Sequence, residues 1–242
     1  MDYDARIQAR DVSIFSILTA MSSEDKRSFL EIQNVVRSYK PGYIYLEVGS
    51  DLGGSLIPPL LDGRCNKVIS IDLRVESQLD ERGRRFDFPD NSAERMHSEL
   101  RNAGVPESAF GRMITFDSDA SSVTLAHTGA QAQFAFIDGE HTNRAVFRDF
   151  LNIRRLMDPS CVVAFHDANL IFDGLLNIEE LLRHEGADFT AIYAPDTVFV
   201  LAFGGLVGPV NAALGGRQVN QDEFVAQSRR VLNIEIARNT NA

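Results

Sequence analysis

The chain has 242 residues, 44% of them hydrophobic, enough to bury one sizeable core and to favour a single domain over several. Its formal net charge is -10 and no basic run exceeds Arg84-Arg85 or Arg154-Arg155, so a nucleic-acid partner, which needs a dense Lys/Arg face, is disfavoured. The apolar stretch from Val12 to Met21 is too short for a membrane span and lacks the positive flank of a secretory signal, which points to a cytoplasmic protein with no membrane partner.

Residues 1–42 read as a helical cover. A helix over 24–39 carries Phe29, Ile32, Val36 and Tyr39 on one face and stops at Pro41-Gly42. From there, short β-branched and aromatic runs alternate with amphipathic segments, the pattern of βαβ units around a parallel sheet. Strands are expected at Tyr43 to Val48, Lys67 to Asp72, Arg112 to Phe116, Gln133 to Asp138 and Cys161 to Asp167. Helices are expected at 54–62, 91–103, 120–128, 143–157 and 174–185; in the fourth, Val146, Phe150, Ile153 and Met157 form one buried stripe. Cys65 and Cys161 lie outside any CxxC pair and read as small core residues.

The segment from Arg74 to Asp90 has no strong period and places Arg82, Arg84 and Arg85 beside Phe86 and Phe88. A loop of this length is either a lid that contacts substrate or a surface excursion. Further on, Phe189 to Tyr193 and Val198 to Phe203 are joined by four turn-forming residues, too few for a crossover helix, so they pair as an antiparallel hairpin. The expected architecture is α/β, a doubly wound, mostly parallel seven-stranded sheet closed by that hairpin. Residues 43–205 form the ligand-binding domain and 206–242 a helical tail, with a helix near Asp222 to Asn233 that packs on its own domain or on another subunit of a homo-oligomer.

Ligands of such sheets bind beyond the carboxyl ends of the strands. The first strand runs into Glu47-Val48-Gly49-Ser50-Asp51-Leu52-Gly53-Gly54, whose glycines permit a tight turn and close approach to a ligand. Position 51 is aspartate where G-x-G-x-x-G has its second glycine, a poor match to a dinucleotide fingerprint. Asp72 ends the second strand about twenty residues on, where an acid accepts ribose hydroxyls. Turn and acid together indicate an adenosine-containing cofactor without choosing between NAD and S-adenosylmethionine. Asp138 and Asp167 end neighbouring strands and could share a hard cation such as Mg²⁺, with His166 as a third ligand or a supporting group.

The stretches Leu46-Glu47-Val48-Gly49-Ser50, Ile71-Asp72, Phe116-Asp117-Ser118, Phe136-Ile137-Asp138-Gly139-Glu140-His141 and Ala164-Phe165-His166-Asp167, in this order at strand ends, resemble the class I S-adenosylmethionine-dependent methyltransferases. Within them the chain is similar to the metal-dependent branch that O-methylates sugars and natural products, as is the stretch from Asp80 to Phe86. The terminal hairpin also suits that family, whereas a dehydrogenase domain ends in parallel strands. The resemblance covers about Tyr43 to Phe203 and implies a Rossmann-like fold, S-adenosylmethionine as cofactor and a small hydroxyl compound as acceptor. It implies that Glu47, Gly49 and Ser50 hold the methionine part, with Gly53 among the cofactor-binding residues of the same turn, that Asp72 holds the ribose, and that Asp117, Ser118 and Asp119 lie near the adenine. Asp138 and Asp167 would hold a divalent cation and His141 would be the general base, since an alcohol needs its proton removed before it attacks. Asn169 stands two residues beyond Asp167 where members of the branch place a polar residue directly beside that acid. An NAD-dependent oxidoreductase and a non-catalytic adenosyl-binding module remain as alternatives, separable by which cofactor stabilises the protein and by whether Asp138, His141 and Asp167 converge.

Overall fold

The structure, a computed structural model, describes residues 2–240. Helices α1 (Tyr3–Gln8) and α2 (Ser23–Tyr39) precede strand β1 (Tyr43–Val48). There follow α3 (Ile57–Leu61), β2 (Cys65–Asp72), β3 (Ser77–Leu79), β4 (Arg85–Asp87), α4 (Ala93–Asn102), α5 (Glu107–Phe110) and β5 (Met113–Asp117). The chain continues through α6 (Leu125–Thr128), β6 (Ala132–Ile137), α7 (Asn143–Ile153), β7 (Met157–Phe165), α8 (Phe172–His184), β8 (Phe189–Tyr193), β9 (Phe199–Phe203), α9 (Val207–Leu214) and α10 (Gln221–Thr240).

Seven strands form one sheet in the order β5-β2-β1-β6-β7-β9-β8. The first five are parallel, and β9 runs antiparallel between β7 and β8. This is a Rossmann-like methyltransferase fold, with the expected hairpin inserting its second strand into the sheet. Side chains alternate across the sheet, so Tyr43, Tyr45, Phe134 and Phe136 enter one core layer while Ile44, Leu46, Ala135 and Ile137 enter the other. Central strands apolar on both faces need helices on both faces, and that is what the βαβ crossovers supply.

Helix α2 closes the first layer. Ser22 and Asp25 form a reciprocal capping box at its start, and Phe29 packs its ring against Phe15, Tyr45, Phe134 and Phe136 at 5.1–5.8 Å. Removing that buried ring would cost about 3–5 kcal/mol. Arg37 fixes the other end through a buried pair with Asp62 at 2.9 Å. At the far side of the sheet, Phe224 of α10 stacks on Tyr193 of β8 with centroids 4.8 Å apart, so the C-terminal helix packs on its own domain.

Several boundaries differ from the sequence reading for local reasons. The helix expected at 54–62 is only Ile57–Leu61, because Pro58 and Pro59 have no N–H and are confined to its first turn. The helix expected at 120–128 is broken into a tight turn at Ala120–Ser122 and α6, since the Asp119 side chain accepts the Ser121 N–H at 2.8 Å and competes with helix continuation. Residues 74–90 fold back as the antiparallel pair β3–β4. Both cysteines are buried and free. No helix among the described residues is long and apolar enough to cross a membrane.

Candidate active site

The strand order reverses between β1 and β6, and there the carboxyl ends of four strands are stitched together. Gly49 N–H donates to Ile71 O at 2.9 Å, Asp138 N–H to Val48 O at 2.8 Å and His166 N–H to Ile137 O at 3.0 Å. Gly49 is left-handed at φ 85°, and a Cβ there would overlap the Asp138 carbonyl, so the turn can follow β1 this closely only with glycine. Above this junction lies a cavity of about 500 Å³. Its walls are the 48–52 turn, Asp72, Ser118 to Ala120, Asp138 to Thr142, the β3 strand and the segment Leu18 to Met21.

The candidate cofactor residues divide into those that face the cavity and those that support it. Gly49, Ser50, Asp72, Ser118 and Asp138 line it. Asp72 is 9% exposed; its Oδ2 accepts the Asp51 N–H at 2.8 Å and its Oδ1 the Arg74 N–H at 2.8 Å. Gly53, left-handed at φ 84°, is tucked against Met96 and Leu100 instead. Glu47 lies fully buried behind the turn, accepting hydrogen bonds from Tyr45 and, at 2.9 Å, from Ser55, which does line the cavity. Burial pushes the Glu47 carboxyl up to about 8, against the pull of those hydrogen bonds, so it is largely neutral at pH 7. Asp117 is turned away from the cavity and meets the Arg74 guanidinium at 3.2 Å. Arg74 also donates to Asp51 O at 2.8 Å and Asn91 Oδ1 at 3.1 Å, tying three loops together.

Asp138, His141 and Asp167 converge on one another, the first two lining the cavity. His141 Nε2 is 3.3 Å from Asp138 Oδ1 and its Nδ1 3.1 Å from Asp167 Oδ2, and all three side chains are about one-fifth exposed. One ligand atom from each lies within 4.8 Å of the others, an O, N, O donor set that could hold a divalent cation. Asp167 reaches its position from a left-handed backbone (φ 53°), a conformation that costs a non-glycine residue about 1 kcal/mol or more and often marks functional turns. Burial alone would lower the His141 basicity, but the hydrogen bond and charge of Asp138, with the charge of Asp167, raise it above an ordinary imidazole. His166 is not part of this open cluster: it is 2% exposed, behind Asp138, with Nδ1 on Asp138 Oδ1 at 3.0 Å. Burial would raise Asp138, yet the two imidazoles hold it well below the usual carboxylate range. The Asn169 amide oxygen is buried without a hydrogen-bond partner and borders a second, smaller cavity beside α10.

Three further parts of the site lie outside the strand-end motifs. Leu18 to Met21 close one wall, and Gly54 is seated so tightly under them that a Cβ would overlap the Thr19 methyl. The β3–β4 pair forms another wall; Glu81 anchors it through its N–H to His141 O at 2.9 Å and its carboxylate to Asn143 N–H at 2.8 Å, and Arg82 meets Glu235 of α10 at 3.3 Å. Asp149, next to Phe150 in the α7 stripe, borders the cavity near Gly139, and burial, opposed by Arg148, lifts it to about 6. The helical stripe was readable; that this acid sits on its edge, at the ligand end, depends on the tilt of α7.

No curated protein sequence matches the chain significantly. Solved structures share its fold at low identity. The O-methyltransferase TomG from Streptomyces achromogenes, in complex with S-adenosylmethionine, is 16% identical with a TM-score of 0.52, covering 85% of this chain and 91% of that one. The O-methyltransferase from Bacillus cereus, in complex with S-adenosylhomocysteine, is 15% identical with a TM-score of 0.53, covering 83% and 89%. An rRNA methylase from Streptococcus thermophilus is 12% identical with a TM-score of 0.51, covering 77% and 99%. At sequence level the methyltransferase domain family matches residues 46–168, just over half of the chain and the whole span from the end of β1 past Asp167. The chain therefore belongs to the methyltransferase domain family.

Proposed function

We propose that the protein transfers the methyl group of S-adenosylmethionine to a hydroxyl of a small polar acceptor, a sugar or natural product, assisted by a divalent cation such as Mg²⁺. The observation that carries this reading is the charge of the cavity. Asp51, Asp72, Asp119, Asp138, Glu140 and Asp149 line it against one guanidinium, that of Arg148. Such a field suits a ligand with sulfonium and ammonium charges and repels the diphosphate of a dinucleotide. The aspartate at position 51 adds to that repulsion where a dinucleotide site needs glycine, which weighs against an NAD-dependent oxidoreductase. A cavity of about 500 Å³ is in the range of cofactor sites, and the orphaned hydroxyl of Thr19 in its wall offers a further polar contact.

In this reading Asp72 takes the ribose hydroxyls and Ser118 to Ala120 border the adenine, with Asp117 acting through Arg74. Gly49 and Ser50 border the methionine part, and Glu47 supports it through Ser55. S-adenosylmethionine supplies an electrophilic methyl, and a cation held by Asp138 and Asp167 would lower the pKa of the acceptor hydroxyl. His141 takes the hydroxyl proton, and the cavity walls hold the acceptor oxygen in line with the methyl. That Asp138 and His141 line the cavity, with Asp167 against His141 just beyond it, favours a catalytic role over a binding module that has lost its chemistry. The solved O-methyltransferases of the same fold support the same choice, while the net charge of -10 argues for a small acceptor and against RNA.

The test is a screen of sugars and catechol-like compounds for methyl incorporation from labelled S-adenosylmethionine, beside calorimetry with S-adenosylhomocysteine and with NAD. Binding of S-adenosylhomocysteine and methylation of a hydroxyl compound are expected. Binding of NAD alone would overturn the proposal.

A further inference from the structure

Helix α2 reaches the site through one buried side chain. Asp25, in its first turn, is 2% exposed, as is His166. Its Oδ2 accepts the Ser22 N–H at 3.0 Å and its Oδ1 the Thr197 N–H at 2.9 Å, so the carboxylate is clamped between the α2 cap and the β8–β9 turn. From there Oδ2 faces His166 Nε2 at 3.5 Å. The opposite nitrogen of the same ring, Nδ1, is 3.0 Å from Asp138 Oδ1 and 3.5 Å from Asp167 Oδ2. His166 Nε2 makes no hydrogen bond of its own although it is buried. Leaving a buried ring nitrogen unpaired is costly, and a shift of a few tenths of an ångström would bring it onto Asp25.

We propose that Asp25 is a positioning residue of the active site: by facing His166 Nε2 it fixes the ring so that Nδ1 stays on Asp138, and thereby sets how Asp138 is presented to the cation and acceptor. Nothing in the sequence around residue 25 carries a methyltransferase motif, and the family match begins only at residue 46. The N-terminal helix is thus part of the site's second layer as well as a cover for the sheet. The same turn joins two walls, because Ser22 follows directly on the segment Leu18 to Met21 that lines the cavity. The effect on cation binding rests on the proposed function; the ring contact does not.

The experiment compares the wild-type protein with Asp25→Asn and Ser22→Ala. In Asp25→Asn the amide nitrogen must oppose one of the two backbone N–H donors already aimed at the carboxylate, and the neutral amide oxygen is a weaker acceptor for the ring than a carboxylate. Ser22→Ala deletes the hydroxyl that accepts the Asp25 N–H at 3.1 Å, weakening the helix cap while leaving the carboxylate in place. Both variants should melt earlier. Only Asp25→Asn should displace the His166 ring signals in spectra of ¹⁵N-histidine-labelled protein and weaken Mg²⁺ or Mn²⁺ binding, by about ten- to a hundredfold as for other supporting residues of metal sites. In the wild-type protein the Nε2 proton of His166 should be downfield and slow to exchange, and its absence would overturn the proposal even if Asp25→Asn does not fold. Unmoved ring signals in Asp25→Asn, or an equal loss of cation affinity in Ser22→Ala, would also overturn it. If the wild-type protein takes up neither cation, the cation reading fails and the ring signals alone decide whether Asp25 positions His166.

Discussion

Asp51 donates its backbone N–H to Asp72 Oδ2 at 2.8 Å, so the turn after β1 and the end of β2 meet at one carboxylate on the cavity wall. The same side chain therefore orders the loop and offers acceptors to a ribose. Asp72→Ala removes both, and should weaken S-adenosylhomocysteine binding by about 1.5–3 kcal/mol if the hydrogen bonds are charge-assisted. Asp72→Asn keeps an acceptor for the loop and should lose less. Calorimetry reads both, and an unchanged affinity in Asp72→Ala would exclude this residue from the cofactor site.

Glu47 leads to a prediction about stability and pH. Its folded-state pKa, about 8, lies above the ordinary glutamate value of 4.5 because burial disfavours the carboxylate. The folded protein thus binds this proton more tightly than the unfolded chain does. The stability it contributes is complete below about pH 4.5 and is lost as pH rises through 8. Glu47→Gln keeps a neutral acceptor for Tyr45 and Ser55, so it should flatten that decline. Its melting temperature should exceed that of the wild type at pH 8.5 by several degrees, at about 2–4 °C per kcal/mol for a chain of this size, and match it near pH 5. Parallel melting curves across this range would mean that Glu47 is ionised in the fold.

The cation reading makes a separable prediction. Two carboxylates on neighbouring strands, with His141 between them, should need a divalent cation to bring an acceptor hydroxyl into play. Chelation should abolish turnover while leaving S-adenosylhomocysteine affinity largely intact, and Mg²⁺ should restore activity. Asp167→Asn should raise the cation concentration needed by about tenfold or more. Full turnover in excess chelator would remove the cation from the mechanism.

The sheet was legible in the sequence because its central strands are apolar on both faces and the helices between them keep a 3.6-residue stripe. The hairpin was legible because four turn residues between β8 and β9 leave no room for a crossover. Strand ends were legible as cavity positions, and the glycine turn, Asp72 and Asp138 do line one cavity. Which way a side chain turns at a strand end was not. Asp117 and Ser118 are neighbours, yet Arg74 draws the first out of the cavity while the second lines it. Glu47 looks like a ligand residue by position, but β1 is buried on both faces, and the side chain finds partners beneath the turn. Asp25 meets His166 across 141 positions of chain, a contact that only the packing of α2 on the sheet creates. The β3–β4 pair escaped a periodicity reading because three-residue strands carry too few alternations to register.

His141 stands between two acids, with Nε2 toward Asp138 and Nδ1 toward Asp167, and both raise its basicity above that of a free imidazole. With both nitrogens engaged the ring holds its proton, so it becomes a base only when the carboxylates are occupied elsewhere, as they are when they share a dication. Base catalysis at this position should thus appear only in the cation-loaded enzyme. His141→Ala should lower turnover by about 10² to 10⁴-fold, with little loss of S-adenosylhomocysteine affinity, and the acidic limb of the pH profile should flatten. The measurement that separates the two roles open to this ring is cation affinity. If His141 accepts the hydroxyl proton, the variant binds the cation about as well as the wild type and only the chemical step fails. If the ring is instead the third ligand, cation affinity and turnover fall together, and excess Mg²⁺ recovers part of the activity. A variant with wild-type turnover and an unchanged pH profile would leave His141 as a structural bridge between Asp138 and Asp167, with deprotonation of the acceptor left to other groups at the site.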